Sequence, residues 1–312
     1  MTPNPEAYPL STVEINRVAL LTNPKAGKGG ASKAAEIARH TLTKTDVDVV
    51  GISGSSAEAS KRLAEEMIAD PDIDALVVCG GDGLINLALQ AHANSGTPMG
   101  IIPAGTGNDT ARALGIPLDP RRAALTVIRG FTTTCDLGQL TDAEGNQRYF
   151  MTIACAGFDS LVSDRANTLV WPHGKARYNL AMAVEFSKFH SIPTRITLDD
   201  STVIDDDVTL CAIGNTSTYG GGMRVCPHAD HHDGLFDITV IHRINRRKAA
   251  RNVSRFFTGE FEGFPEATIH RAHSVEIHMP GINVYADGDF MFPSPVTATV
   301  ATAAGRIIVP RP

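Results

Sequence analysis

The sequence predicts an α/β protein of two domains, an N-terminal parallel α/β domain followed by a mainly antiparallel β domain. Three observations carry this reading. Over the first ~130 residues, short apolar runs alternate with segments of helical spacing. From Phe131 onward, strand-like segments follow one another, interrupted by helices at roughly 175–190 and from about Asn245. The length of 312 residues gives room for two domains, each able to bury a core.

The elements follow in order. "RVALLTN" (17–23) is a continuous apolar run, as a strand covered on both faces requires. "GGASKAAEIARHTLTK" spaces Ala, Ile and Leu for a helix, and "VDVVGIS" is the next strand. "AEASKRLAEEMIAD" is a helix stopped by Pro71. "DALVVCG" and "LINLALQAHAN" repeat the pair, and "PMGIIPAG" is a fourth strand. "NDTARALG" reads as a short helix ended by Gly115 and Pro117. "DPRRAALTVIRG" is a helix with Asp119 as N-cap and Gly130 as stop. Beyond it come "TTTCDLGQL", "RYFMTIACAG", "TRITLDD", "VTLCAIGN", "LFDITVIH", "SVEIHM", "INVYAD" and "TATVAT", all strand-like. The expected organisation is a flexible tail over 1–16, an α/β domain over 17–133, a β-rich domain over 134–298, and a last segment over 299–312 returning to the first domain.

Composition narrows the function. Hydrophobic residues make up 43% and charged residues 20%, which is ordinary for a globular chain. A net charge of −6 argues against a general nucleic-acid binder. It does not argue against a small anion, because local loops can hold one inside an acidic protein. The cysteines, Cys79, Cys135, Cys155, Cys211 and Cys226, are odd in number and form no CxxC. This speaks against a disulfide framework and for a reducing, cytoplasmic setting. The first residues read as a loose tail rather than a signal peptide. No apolar run approaches the ~18 residues of a membrane span, so membrane contact would be peripheral.

Three glycine-bearing loops follow strands directly: "NPKAGKGG" (23–30), "CGGDGLIN" (79–86) and "PAGTGNDTAR" (103–112). In open α/β sheets ligands collect at the carboxyl ends of strands, and glycine lets backbone approach a phosphate. The first loop is not a P-loop, because Thr22 stands where the motif needs its first glycine and Gly29 follows Lys28. Nor does G-x-G-x-x-G occur in the first strand–helix turn. A single such loop would be only a turn. Three together, with Asp82 and Asp109 at two of them, point to phosphate and a divalent cation between phosphate and carboxylate.

"NPKAG", "GGDGLIN" and "GTGNDTAR", in that order and spacing, resemble the diacylglycerol kinase catalytic domain. "YGGGMRVCPHADHHDGLFDITVI" (219–241) and "INVYADGDF" (282–290) are similar to the later segments of the same family. "GFDSLVSDRAN", "WPHGKARY" and "NVYADGDF" look like the soluble actinobacterial members in particular, and the resemblance runs from about Arg17 to Val309. It implies an NAD-kinase-like nucleotide domain, a β-sandwich-like second domain and an active site in the cleft between them.

The resemblance also implies roles. Asn23, Pro24, Lys25, Ala26 and Gly27 would approach the nucleotide, as would Ser53 by register. Gly80, Gly81, Asp82, Gly83, Leu84, Ile85 and Asn86 would form the central phosphate loop. Thr106 would touch the nucleotide, and Asp109 would join the metal and water network. Asp289 stands at the family's general-base glutamate, one methylene shorter, and "ADGDF" is also a strong hairpin signal, so base and turn are expected together. Asp230, Asp233 and the carbonyl of Leu235 would hold a structural Mg²⁺. Zinc is the rival there, because His228, His231 and His232 crowd the segment. Leu84 departs from the family's "GGDGT" by losing a hydroxyl.

The basic run "NRRKAARNVSRFF" reads as a solvated helix face, with contact to anionic lipid as the alternative. Trp171 is read either as core or as part of a lipid entrance. The implied activity is transfer of phosphate from Mg·ATP to diacylglycerol at a membrane surface, by a cytoplasmic enzyme that visits the inner face transiently and resembles homodimers. Alternatives are another lipid alcohol such as sphingosine or ceramide, an NAD-kinase-like acceptor, and a non-catalytic lipid- or nucleotide-binding regulator.

Overall fold

The computed structural model describes residues 10–23, 30–172, 175–261 and 263–311, leaving aside the side chains of 175, 253, 254, 256 and 257. The chain divides into two compact units, Met1–Leu137 with Ala301–Pro312, and Gly138–Val300.

The first unit begins with β1 (Ser11–Thr12), β2 (Arg17–Thr22), α1 (Gly30–Thr43), β3 (Asp48–Ile52), α2 (Ala57–Ala69) and β4 (Ala75–Gly80). It continues through α3 (Asp82–His92), β5 (Met99–Pro103), α4 (Asp109–Ala113), α5 (Pro120–Arg129) and β6 (Phe131–Asp142). Every residue of β4 and β5 is buried, which explains why these strands are unbroken apolar runs. The strands pair in parallel in the order β3–β2–β4–β5. The chain moves one way from β2 to β3 and the other way from β3 to β4. Right-handed crossovers then send α1 and α2 to opposite faces. Accordingly α1 packs with α5, and α2 with α3. Local chemistry sets the helix ends. Ser56 accepts from Ala59 N at 3.1 Å, and Asp119 accepts from Arg122 N at 2.9 Å with Pro120 as the first helical residue. Gly130 closes α5 at φ 63°.

The second unit contains β7 (Gln147–Phe150), β8 (Ile153–Gly157), α6 (Phe158–Thr168), α7 (Lys175–Ser187), β9 (Ile192–Leu198) and β10 (Thr202–Gly214). Then follow β11 (Phe236–His242), α8 (Arg246–Thr258), β12 (Ala267–Ala272), β13 (Ser274–His278), β14 (Asn283–Ala286), β15 (Asp289–Pro293) and β16 (Val296–Ile308). Pairing is antiparallel in the order β15–β14–β8–β10–β9–β13–β16, with β11 and β12 attached to β10. β9 alternates buried and exposed residues strictly at its start, the period-2 signature of a half-buried strand. The core centres on Phe150 stacked on Phe236, centroids 5.8 Å apart. The chain segments of β6 and β16 belong to both units, and the end of β16 pairs in parallel with β5 through Ile307 and Met99.

The fold class therefore agrees with the reading from sequence, while single elements differ: "RYFMTIACAG" divides into β7 and β8, and β1, β12 and β15 are strands the sequence reading did not include. Residues 158–168 are helical, where the sequence offered only a stretch after a strand. The residue before α6 is Gly157 at φ 110°, with no side-chain cap, so the usual start signal is missing.

Candidate active site

The four parallel strands end on one edge, and the registers set what comes together there. Leu21 pairs with Ile52, Thr22 with Cys79, and Gly80 with Pro103. The next residues, Ser53, Asn23, Gly81 and Ala104, thus follow side by side along the carboxyl edge. Strand order reverses between β2 and β4, which is where open α/β sheets bind ligands. Asn23 and Ser53 are exposed at this edge. Pro24, Lys25, Ala26 and Gly27 lie outside the described residues.

The two central loops are locked to each other. Ala104 N donates to Gly80 O at 2.8 Å. A methyl placed on Gly105 would sit 2.5 Å from Gly81 Cα, and one on Gly81 would sit 3.1 Å from Gly105 Cα. The approach requires glycine at 105, and a methyl on Gly81 would press the second loop back by a few tenths of an ångström. Asn108 holds the second loop. It adopts a left-handed conformation, φ 54°, accepts from Gly105 N at 2.8 Å and donates to Gly105 O at 3.1 Å.

Asp82 begins α3, and its Oδ1 accepts from Thr110 N at 3.1 Å, tying the starts of α3 and α4. Its Oδ2 lies 3.1 Å from the point where a methyl on Gly107 would be, and Asp109 Oδ2 lies 3.2 Å from the same point. Two carboxylate oxygens therefore flank Gly107, on loops of backbone amides. That donor set fits a hard divalent cation, which takes carboxylate oxygen and keeps several waters. Thr106 is exposed on the same loop.

The remaining residues of the central loop sit differently. Leu84 packs back over the end of β4, where a methyl on Gly80 would meet its Cδ2 at 2.7 Å and its Cβ at 2.9 Å. Its apolar side chain thus covers backbone. Ile85 and Asn86 are buried in the first turns of α3, with Gln90 Nε2 donating to Asn86 Oδ1 at 3.3 Å. Gly83 is exposed at the helix start.

In the second unit, Asp289 opens β15 opposite Ala286 and is half-exposed. The turn before it has Asp287 at φ 52° and Gly288 at φ 84°, the paired left-handed conformation of a tight hairpin. Asp287 is buried and accepts from Met151 N at 2.9 Å, Thr152 N at 2.8 Å and Thr152 Oγ1 at 2.6 Å. β14 pairs with β8 through Tyr285–Cys155 and Ala286–Ala154. Asp289 is therefore presented by a hairpin fastened at its tip and along one side. The sequence reading singled out Asp289 and missed Asp287, whose hydrogen-bond partners are 135 and 136 residues away. It also passed over Asp159 in the first turn of α6. The Asp159 Oδ2 is covered and without a hydrogen-bond partner among the described residues, and burial pushes its carboxyl up to about 6.

The turn at 230–235 gathers Asp230 and Asp233. Asp230 Oδ1 takes His232 N and Nδ1, each at 3.1 Å, and the rings of His231 and His232 lie 4.0 Å apart. One ligand atom from each of Asp230, His231 and His232 falls within 4.8 Å of the others. Asp233 pairs with Arg271 and accepts from Leu235 N at 3.0 Å. Arg271 also stands 3.6 Å from the buried Asp237, whose carboxyl burial raises against the opposing pull of that cation. The donors suit Mg²⁺ through oxygen and zinc through imidazole.

Both units have counterparts among known proteins. Residues 17–140 match the diacylglycerol kinase catalytic domain, and residues 152–309 match the YegS C-terminal NAD kinase beta sandwich-like domain. Together with the edge loops these matches define a kinase of the lipid-kinase class. The chain is 46% identical over 299 residues to the diacylglycerol kinase of Mycobacterium tuberculosis (strain ATCC 25618 / H37Rv), covering 96% of each chain. It is 26% identical to the diacylglycerol kinase of Bacillus subtilis (strain 168), covering 88% of this chain and 90% of that one. Among solved structures, a diacylglycerol kinase of Bacillus anthracis str. Sterne shares the fold, with a TM-score of 0.71, 20% identity and coverage of 95% and 97%. The chain belongs to the diacylglycerol kinase family.

Proposed function

We propose that this kinase transfers the γ-phosphoryl group of ATP to the hydroxyl of diacylglycerol, with Mg²⁺, giving phosphatidic acid. The observation that carries the reading is the pair of interlocked glycine loops with Asp82 and Asp109 flanking Gly107, in a chain whose relatives are diacylglycerol kinases. Asn23, Ser53, Gly80, Gly81, Gly83, Thr106 and the 24–27 loop approach the nucleotide. Leu84, Ile85 and Asn86 act behind them by holding the end of β4 and the start of α3. Mg²⁺, when bound, would neutralise phosphate charge between the two carboxylates. Asp289 accepts the proton of the acceptor hydroxyl as phosphoryl transfer begins, directly or through one water, which accommodates its shorter reach. Asp230, Asp233 and the Leu235 carbonyl are proposed as a separate structural Mg²⁺ site. Metal analysis that finds zinc bound through His231 and His232 would replace that assignment.

The acceptor is tested by offering ATP with diacylglycerol, ceramide, sphingosine and NAD in parallel and weighing the products by mass spectrometry. Phosphatidic acid as the main product supports the reading. Phosphorylated NAD or sphingosine in its place sinks it.

A further inference from the structure

We propose that Arg148 is a positioning residue for Asp289: from the neighbouring strand β7 its guanidinium fixes the short strand that carries the carboxylate. This role rests on the reading of Asp289 as the base.

The strand needs a hold from outside. β15 is five residues long, ends the strand order and pairs only with β14 among the described residues. Its register shifts inside that short pairing. Tyr285 faces Phe290 and Val284 faces Phe292, so Met291 is an extra residue with no opposite number. A bulge of this kind twists a strand, re-aims its side chains and interrupts the ladder where it falls. Here it falls just beyond Asp289 and Phe290. Phe290 is 44% exposed, so little apolar burial pins this end of the strand.

The hold comes from one segment, 148–152. Arg148 stands opposite Leu140 on the β6–β7 hairpin, close to the fully buried Phe150. The next residue is tied as well, Gln139 Nε2 donating to Tyr149 OH at 2.9 Å. From this rigid base Arg148 Nη1 donates to Phe290 O at 2.6 Å, across 142 residues of sequence. Further along the same segment, Met151 N and Thr152 N donate to the carboxylate of Asp287. One run of backbone thus grips the hairpin at 287 and at 290, and Asp289 stands between the two grips. The Phe290 ring meets Tyr285 edge to face, centroids 6.0 Å apart, which fixes the side chain on that arm too.

Chemistry separates this from ordinary edge capping. At an exposed strand edge water can serve a carbonyl, so Phe290 O has no need of a protein donor. It takes a guanidinium, and a bond from a charged donor is short and roughly twice as strong as a neutral one. The same group sets a permanent positive charge beside a turn that holds two carboxylates, Asp287 and Asp289. A base acts only within hydrogen-bond reach of the proton it takes, and misplacement by about 1 Å can cost about a hundred-fold. Arg148 therefore bears on turnover rather than on substrate affinity.

Phosphoryl transfer to diacylglycerol is measured for wild type, Arg148→Met, Arg148→Lys, Asp289→Asn and the double variant of Arg148→Met with Asp289→Asn. Methionine keeps an apolar stem and removes the fork. Arg148→Met should lower kcat about ten-fold or more and leave KM for ATP and for diacylglycerol within about two-fold. Arg148→Lys, which keeps a charged donor, should recover part of the loss. The double variant should be no slower than Asp289→Asn alone, because Arg148 acts through Asp289. Hydrogen exchange of the 285–293 peptide should quicken in Arg148→Met, while that of 236–242 stays as in wild type. Wild-type kcat in Arg148→Met overturns the proposal. So does a further loss in the double variant, a loss carried by KM alone, or a rise in exchange throughout the second unit with a lowered melting temperature. Failure of the base reading looks different. Asp289→Asn would then turn over like wild type, and the positioning role would fall with it even if the 285–293 peptide still loosened in Arg148→Met.

Discussion

Gly105→Ala separates a built phosphate cradle from an ordinary pair of turns. The added methyl would lie 2.5 Å from Gly81 Cα and 3.0 Å from Asn108 Oδ1. Carbon atoms in contact prefer about 3.5–4.0 Å, so the loops must part by about 1 Å or lose the Asn108 clamp. Overpacking of this size costs about 1–3 kcal/mol of stability. The larger effect falls on turnover, since misplacement by about 1 Å at a positioning site can cost about a hundred-fold. Phosphoryl transfer to diacylglycerol, nucleotide affinity by calorimetry and thermal melting are measured together. Gly96→Ala is the control, because Gly96 sits at φ 75° with nothing within 4 Å of the added methyl. It should lose about 1–2 kcal/mol through backbone strain alone and keep full turnover. Gly105→Ala with wild-type turnover and nucleotide affinity would refute the idea that loop contact positions the phosphates.

Asp287→Ala removes the acceptor of two backbone N–H groups and one hydroxyl, and should destabilise the second unit by about 3 kcal/mol in denaturant titration, whereas Asp289→Ala should leave stability near wild type. All five cysteines are free and buried, and burial raises each thiol, Cys79 and Cys226 to about 12. A thiol reagent at neutral pH should therefore label none in the native protein and five after unfolding; rapid native labelling of Cys79 would contradict the packing at the end of β4. Burial lowers His92 to about 4, so the unfolded chain binds the extra proton between about pH 4 and its ordinary value near 6.5. His92 thus makes stability rise with pH across that window, by up to about 3 kcal/mol, and His92→Gln should flatten the rise in pH-dependent melts. Asp159 works in the opposite sense: its raised carboxyl holds a proton in the folded chain up to about 6, so its contribution is lost as pH rises. A His92→Gln profile as steep as wild type would show that the rise has another source.

Much of the fold is legible because single elements obey local rules. β2, β4 and β5 are buried on both faces and so appear as unbroken apolar runs, while Asp119, Pro120 and Gly130 mark α5 at both ends. α6 escapes because Gly157 turns the chain without a capping side chain. For the candidate site, the sequence shows which residue types stand after which strands, and register then lines them along one edge. It does not show Asp287 reaching Thr152, because no local pattern encodes a bond across 135 residues. Nor does it distinguish core from surface for Trp171, an apolar residue in a stretch with no clear period. Leu84 reads as a lost hydroxyl in sequence and as a lid on Gly80 in structure, so the missing hydroxyl marks a packing role.

The most direct test of the catalytic account is transfer of label from γ-labelled ATP to diacylglycerol in mixed micelles, with wild type and Asp289→Asn side by side and Mg²⁺ added or chelated. The account predicts labelled phosphatidic acid with wild type and Mg²⁺, and none on chelation. It predicts loss of turnover in Asp289→Asn with nucleotide binding retained. Binding of ATP by the wild type with no labelled lipid at high enzyme concentration would contradict it.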